Sequence, residues 1–184
     1  YDWNIEVVDD SANVGRSSAI VAPAADQLYI TYTDLSSQNL KFARKTSEGW
    51  DKSVIDNNGY ARPYNSIAAF GSQVVYSLYY NGLNRDLRAA TSTDGGVSWS
   101  SVLVDDAGDA GVYNSVAVPA DSTDGQTAYA SYYSSSSRAL FFAKTTDGGA
   151  TWVKSSVDSS NAGTYASIAA LNGGRIVIAY YDSI

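Results

Sequence analysis

Short apolar runs alternate with clusters of turn residues along the whole chain, and no stretch repeats its apolar positions every 3.6 residues as a helix would. The runs 74–80 and 175–181 are rich in β-branched and aromatic side chains, which are typical of strands. Both are apolar at nearly every position, which favours strands covered on both faces. Turn signals such as Asp94-Gly95-Gly96 and Asn172-Gly173-Gly174 separate such runs. The pattern predicts an all-β protein.

The same landmarks recur four times. A tryptophan is followed six residues later by an aspartate, then by a serine that opens an apolar stretch, and then by a tyrosine that closes a strand-like run. The four copies are Trp3, Asp9, Ser18 and Tyr32; Trp50, Asp56, Ser66 and Tyr79; Trp99, Asp105, Ser115 and Tyr132; and Trp152, Asp158, Ser167 and Tyr180. A unit of about 47–53 residues that holds four short strands has the dimensions of one β-propeller blade.

We therefore predict one all-β domain over residues 1–184, a β-propeller of about four blades with four antiparallel strands each. Residues 1–9 are expected to form an outer latch strand, followed by blades over 10–56, 57–105 and 106–158. Residues 159–184 supply only a first and a second strand, so the last blade is incomplete, or is completed by the N-terminal strand or by another chain. Self-association that completes the ring is one expectation, and further blades in a longer parent protein are the alternative.

The amino-acid composition excludes several kinds of partner and site. The chain has 12 Lys and Arg against 19 Asp and Glu, a net charge of −7, which disfavours nucleic acid and anionic membranes as partners. It has no Cys, His or Met and begins with Tyr1, so we expect a processed or excised piece. Without Cys and His, disulfides, zinc sites of the usual type and Ser-His couples are excluded. We predict no cofactor, with calcium at 105–109 or 121–125 as a secondary alternative.

Two turns match the pattern Ser/Thr-x-Asp-x-Gly-x-Ser/Thr-Trp. Their defining residues are Ser92, Asp94, Gly96 and Trp99 in the first turn, and Thr145, Asp147, Gly149 and Trp152 in the second. The motif resembles the Asp-box, or bacterial neuraminidase repeat (BNR), of sialidase-like β-propellers, and the wider unit is similar to tandem repeats of secreted bacterial and archaeal proteins. The resemblance implies an extracellular protein whose Asp-box joins the third and fourth strands, away from the ligand face. Because an aspartate can accept hydrogen bonds from its own turn, we predict a structural role for both.

A complete sialidase site is not expected. The resemblance implies an arginine trio, a tyrosine nucleophile with a glutamate partner, and an opening Phe/Tyr-Arg-Ile-Pro motif, of which Arg62-Pro63 is the nearest echo. Glu6 and Glu48 are the only glutamates, and both fall on outer-strand or turn positions. We therefore assign no catalytic residue.

The loops that follow each repeated aspartate carry the candidate ligand face. Two residues before each strand-opening serine lie Arg16, Tyr64, Tyr113 and Tyr165, and Arg62 lies in the same set of loops. Equivalent positions in successive blades lie around one ring near the axis, where tyrosines either stack on sugars or pack the seam between blades. We predict a non-catalytic secreted module that binds a glycan or a protein. The alternatives are a fragment of a sialidase-like or other propeller glycosidase whose catalytic residues lie elsewhere, and an architectural or experimental propeller fragment.

Overall fold

Short strands build nearly all of the chain. The computed structural model describes residues 2–11, 13–58 and 60–182, and within them 14 strands form three four-stranded antiparallel sheets and one two-stranded sheet. The described part contains one helical turn, the 3-10 segment Asn172–Gly174. It has no helix that is long and apolar enough to cross a bilayer. The all-β prediction is confirmed.

Each sheet takes its strands in sequence order. Blade 1 contains β1 (Arg16–Ala24), β2 (Gln27–Asp34), β3 (Asn39–Thr46) and β4 (Gly49–Asp56); blade 2 contains β5 (Ala61–Phe70), β6 (Val74–Asn81), β7 (Asp86–Ser92) and β8 (Ser100–Asp105); blade 3 contains β9 (Ala110–Ala117), β10 (Ala128–Ser134), β11 (Ala139–Thr145) and β12 (Val153–Asp158); and blade 4 contains β13 (Ala162–Ala170) and β14 (Ile176–Asp182).

The first strands of the blades lie side by side, with β1 beside β5, β5 beside β9, and β9 beside β13. The sheets therefore fan outwards from a common axis and pack face to face. Strands β6 and β10 lie between two neighbouring blades and are buried on both faces, which explains their continuous apolar sequence. One core cluster joins Leu78 and Leu87 of blade 2 to Val116 and Tyr132 of blade 3.

A repeated aspartate–tyrosine pair, here named the seam clasp, ties each blade to the next and, through Asp9, ties the N-terminal segment to blade 1. The aspartate Oδ2 accepts a hydrogen bond from the tyrosine hydroxyl, and Oδ1 accepts the backbone N–H two residues further on. The pairs are Asp9 and Tyr32 at 2.7 Å, Asp56 and Tyr79 at 2.6 Å, Asp105 and Tyr132 at 2.7 Å, and Asp158 and Tyr180 at 2.9 Å. The seam clasp gives the periodic aspartates and tyrosines of the sequence one shared role.

The expected latch strand over residues 1–9 does not form in its described part, residues 2–9, which pair with no sheet; Tyr1 lies outside the described residues. A strand needs a neighbouring backbone to pair with, and side chains hold this segment to blade 1 instead. Asp9 bonds to Tyr32 and Lys41, and Glu6 bonds to Lys45 and to Trp50. Trp3 is 89% exposed.

Blades 1 and 4 each leave one face uncovered. Ile20 on β1 is exposed, as are Tyr165 on β13 and Val177 on β14. In the described chain β13 makes no extensive contact with β1, so the four blades form an open arc. The expected partial blade 4 thus has two strands over its described residues, and Ser183 and Ile184 lie outside them.

Candidate functional site

Three tyrosines from successive blades lie next to one another at the start of the first strands. The ring centroids of Tyr64 and Tyr113 are 4.8 Å apart, and those of Tyr113 and Tyr165 are 4.5 Å apart. The ring planes are inclined by 65° and 46°, so the rings interlock rather than lie flat on each other. We refer to these three residues as the tyrosine row.

Two further tyrosines, from the second strands, flank the row. The ring of Tyr133 on β10 lies 6.5 Å from that of Tyr113, and the ring of Tyr181 on β14 lies 6.5 Å from that of Tyr165. Tyr165 is 69% exposed and Tyr181 59% exposed, whereas Tyr64, Tyr113 and Tyr133 are half-buried. The sequence interpretation missed both flanking residues, although each is the second member of a Tyr-Tyr doublet.

The backbone of the row is strained. Tyr64, Tyr113 and Tyr165 have φ values of 111°, 52° and 56°, a left-handed conformation that bulky residues rarely adopt. The pairing register of the first strands shifts around these positions, which is the signature of a bulge. Such strain costs about 1–3 kcal/mol per residue and persists only where the surroundings impose it. It is concentrated at ligand-binding and active sites, which makes the row a candidate functional site.

Two asparagines supply part of that constraint. Asn114 donates from Nδ2 to the carbonyl oxygens of Tyr64 and Gly111, both at 2.9 Å, and its Oδ1 accepts the Ser66 hydroxyl at 2.8 Å. Asn65 in the same way donates to the carbonyl of Ser17, which also has a positive φ. An asparagine of one blade thus fixes the strained residue of the preceding blade. In the sequence, the repeated Tyr-Asn dipeptides at 64–65 and 113–114 could have indicated this contact between blades.

The two predicted arginines lie outside the row. In blade 1, Ala19 pairs with Thr31, the residue before the clasp tyrosine, and in blade 2 Ser66 pairs with Leu78 at the same place. Ala19 is therefore equivalent to Ser66. Counting back two residues from each, Ser17 rather than Arg16 is equivalent to Tyr64. Arg16 is exposed one residue away from that position. The sequence comparison aligned Ser18 with Ser66, but the strand register aligns Ala19 with Ser66, so the predicted position of Arg16 was wrong by one residue.

Arg62 belongs to a different group at the same end of the blades. The Tyr80 hydroxyl donates to Asp109 Oδ1 at 2.9 Å, and Arg62 and Arg85 lie within electrostatic reach. Burial first, and then Asp109, raise the pKa of Tyr80 to about 12, although the two arginines act to lower it. This hydroxyl stays protonated at neutral pH, so it is a hydrogen-bond donor and not a ready nucleophile.

Two hydroxyl groups of the tyrosine row, those of Tyr113 and Tyr165, have raised pKa values. Hydrogen bonding with Tyr165 acts to lower the pKa of Tyr113, but the Tyr64 hydroxyl and burial outweigh it and raise that pKa. The Tyr113 hydroxyl in turn raises the pKa of Tyr165. Tyr113 and Tyr165 therefore present aromatic faces and neutral hydroxyl groups, which suit a polyhydroxylated ligand better than an ionic one.

The Asp-box turns lie at the opposite end of the sheets, between β7 and β8 and between β11 and β12. Asp94 accepts the hydroxyls of Ser98 and Ser92 at 2.6 and 2.7 Å and the backbone N–H groups of Val97 and Ser98 at 3.0 and 2.9 Å. Asp147 accepts the hydroxyls of Thr145 and Thr151 and the Thr151 N–H. These bonds, above all those from Ser98 and Thr151, hold both pKa values at about 2.

The other motif residues complete each turn. Ser92 Oγ accepts the Gly96 N–H at 2.8 Å, and Thr145 Oγ1 accepts the Gly149 N–H at 2.9 Å. The Trp99 ring meets Phe42 of blade 1 edge-on at 5.1 Å, and the Trp152 ring lies 6.5 Å from Tyr76 of blade 2. Within this geometry the two carboxylates bond to their own turns while the tryptophans pack on the preceding blade.

Aspartates in the two segments considered for calcium, 105–109 and 121–125, accept hydrogen bonds from other groups of the protein. Asp105 and Asp109 accept tyrosine hydroxyls, Asp121 accepts the Gly173 N–H at 2.7 Å, and Asp124 accepts the Gln126 N–H at 2.9 Å. Among residues 2–11, 13–58 and 60–182, no group of three or more acidic side chains is arranged to hold a metal ion.

Solved structures resemble the chain, although no family model and no curated protein matches it. The NanB sialidase of Streptococcus pneumoniae superposes with a TM-score of 0.59 at 17% identity over 96% of this chain and 27% of its own. A leech intramolecular trans-sialidase gives 0.56 at 22% identity over 85% and 26%. The fold is a sialidase-like β-propeller. A Hadza microbial sialidase, Hz136, gives 0.51 at 16% identity over 91% and 42%. The propeller prediction is confirmed, and the chain spans less than half the length of each of these proteins.

Proposed function

We propose that this chain is a secreted, non-catalytic propeller module that binds neutral glycans at its tyrosine row. The observation that carries the proposal is the row itself, in which three tyrosines hold a strained backbone with their rings 4.5–4.8 Å apart. Tyr165 lies on the uncovered face of blade 4, where it is 69% exposed, and Tyr181 lies beside it. An exposed aromatic face with a neutral hydroxyl can stack on a sugar ring and hydrogen-bond to it.

The test is a glycan array followed by titration calorimetry with the best soluble oligosaccharide. Tyr165→Ala should weaken binding at least tenfold because it removes the exposed face, while Tyr165→Phe should have a smaller effect because it removes only the hydroxyl. Trp3→Ala is the matched control, an exposed aromatic residue on the N-terminal segment. Failure of every glycan to bind, or equal affinities for Tyr165→Ala and the parent chain, would contradict the proposal and favour a protein ligand.

A second candidate is that the chain belongs to a propeller glycosidase. One group of side chains favours this candidate, because a tyrosine–carboxylate pair beside arginines has the residue types of a sialidase centre. The group consists of Tyr80, Asp109, Arg62 and Arg85. The raised pKa of Tyr80 and the engagement of Glu6 with Lys45 and Trp50 count against turnover by these residues alone. We expect no hydrolysis of fluorogenic sialosides or aryl glycosides. Turnover that disappears in Asp109→Asn would establish the second candidate instead.

A further inference from the structure

The uncovered faces of blades 1 and 4 are the two halves of a seam that the chain builds three times internally. At the first two internal seams, an apolar residue on the first strand of one blade packs in the same hydrophobic cluster as a larger apolar residue on the first strand of the next. Val21 and Ile67 share one cluster at the first seam, and Ala68 and Val116 share another at the second.

The third internal seam follows the same rule. The register places Ala117 of β9 in the position of Val21 and Ala68, and places Ile168 of β13 in the position of Ile67 and Val116. Ile168 is buried, and its N–H donates to Ser115 Oγ of blade 3 at 3.2 Å. By register, each of the three seams thus has a small or medium residue at this position on one blade and an isoleucine or valine at the matching position on the next.

The same register identifies one unused member of each kind. Ile20 on β1 is equivalent to Ile67, but no blade covers it and it is 63% exposed. Ala169 on β13 is equivalent to Ala117 and is also exposed, beside Val177 of β14, which is 53% exposed. The chain therefore presents a receiving face on blade 1, around Ile20, and an offering face on blade 4, around Ala169.

The outer part of the receiving seam already exists. Asp9 makes the seam clasp with Tyr32, as the last residues of β4 and β8 do with the blades that follow them. Inward of this segment lies a cavity of about 330 Å³ lined by Val8, Val14, Ile20 and Ile30. An apolar recess of this size beside a formed clasp can take a few apolar side chains of a docking sheet.

We infer that a second copy of this chain docks here head to tail, with its β13–β14 sheet against the β1–β2 face. The two faces are exposed at the same time in the arc, so they do not satisfy each other within one molecule. They are complementary to each other and not to themselves, because every internal seam joins an offering face to a receiving face. Such a heterologous contact adds one copy after another and forms a ring where its rotation closes. The new contact pair is Ala169 of one copy and Ile20 of the next.

The experiment measures mass in solution by sedimentation velocity over a concentration series. The parent chain should associate into a species of defined chain number, whereas Ile20→Asp and Ala169→Asp should each be monomeric with an unchanged far-UV spectrum. An equimolar mixture of the two variants retains one intact seam, between Ala169 of the first and Ile20 of the second, and should form a complex of two chains. Val97→Asp, which places the same charge on another exposed apolar residue, should associate like the parent.

Three outcomes overturn the inference: a parent chain that stays monomeric at every concentration, an Ala169→Asp variant that still associates, or a mixture of the two variants that does not form a complex. Glycan binding is read out separately on the monomeric Ile20→Asp variant, which leaves the tyrosine row unchanged. Failure of the association and failure of the proposed function are therefore distinguishable.

Discussion

Tyr132→Phe tests whether the seam clasp holds neighbouring blades together. The Tyr132 hydroxyl donates to Asp105 Oδ2 at 2.7 Å across the seam between blades 2 and 3, and both side chains are buried. Lys154 and the Ala107 N–H also bond to Asp105. Burial acts to raise the pKa of Asp105, but these three hydrogen-bond donors outweigh it and lower that pKa, so the acceptor is ionised.

The expected loss follows from the nature of this bond. The substitution keeps the ring, which stacks on Phe141 at 5.6 Å, and removes only the hydroxyl. A hydrogen bond to a charged acceptor contributes roughly 1.5–3 kcal/mol, and Asp105 keeps its other two donors. We expect the free energy of unfolding to fall by about 2 kcal/mol. At this chain length that corresponds to a decrease in Tm of about 4–8 °C.

The assay is urea unfolding followed by tryptophan fluorescence and far-UV circular dichroism. Tyr180→Phe is the matched control, because it removes the same hydroxyl from the same clasp at the exposed end of the arc, and it should leave stability unchanged. A double-mutant cycle of Tyr132→Phe with Asp105→Asn should show coupling within the range of about 0.5–3 kcal/mol. Equal effects of Tyr132→Phe and Tyr180→Phe, or no coupling, would refute the clasp as a source of stability.

Three further predictions concern the turns and the row. Asp94 and Asp147 have pKa values of about 2, below the ordinary 3.8, so the stability they contribute is complete above about pH 5 and is lost as pH falls towards 2. Asp94→Ala should therefore lower Tm at pH 7 and make Tm less dependent on pH in the acid range. A Tm-versus-pH curve identical to that of the parent chain would contradict this. Gly149→Ala should cost more unfolding free energy than Gly173→Ala, since both glycines have positive φ but only at Gly149 would a Cβ meet Thr91 and Tyr76; equal urea midpoints would refute it. Asn114→Ala should lower stability by roughly 1–3 kcal/mol and weaken ligand binding at the row, because it releases the Tyr64 carbonyl; calorimetry and urea unfolding read out the two effects, and unchanged binding would separate the asparagine from the site.

The strands and their order were predictable because each blade repeats the same local rules. Trp50, Asp56 and Tyr79 have counterparts in every unit, with the aspartate always six residues after the tryptophan, because the turn, the clasp and the second strand recur in space. Strand β6 could be predicted from the sequence because it is buried on both faces and therefore has almost no polar residue. In these elements the local preferences and the tertiary contacts agree.

The candidate site was predictable only in part. The positions of Tyr64, Tyr113 and Tyr165 follow from the repeat, but their positive φ values and mutual contact depend on bulges that sequence spacing does not show. Arg16 shows the same limitation, since a shift of one residue in β1 moves Ser17 into the equivalent position. The segment 2–9 does not form the expected strand for a different reason, because a strand needs a neighbouring edge to pair with, and the repeat position of Trp3 does not reveal one.

One strand geometry links the stability of the seams to the tyrosine row. Successive side chains of a strand point to opposite faces, so the doublet Tyr132-Tyr133 sends one ring to the clasp with Asp105 and the other to Tyr113. The doublet Tyr180-Tyr181 does the same with Asp158 and Tyr165. Any movement of the second strand along its axis would disturb both contacts together. The clasp therefore fixes the position of each second strand along its axis relative to the preceding blade. That position determines which tyrosine ring flanks the row.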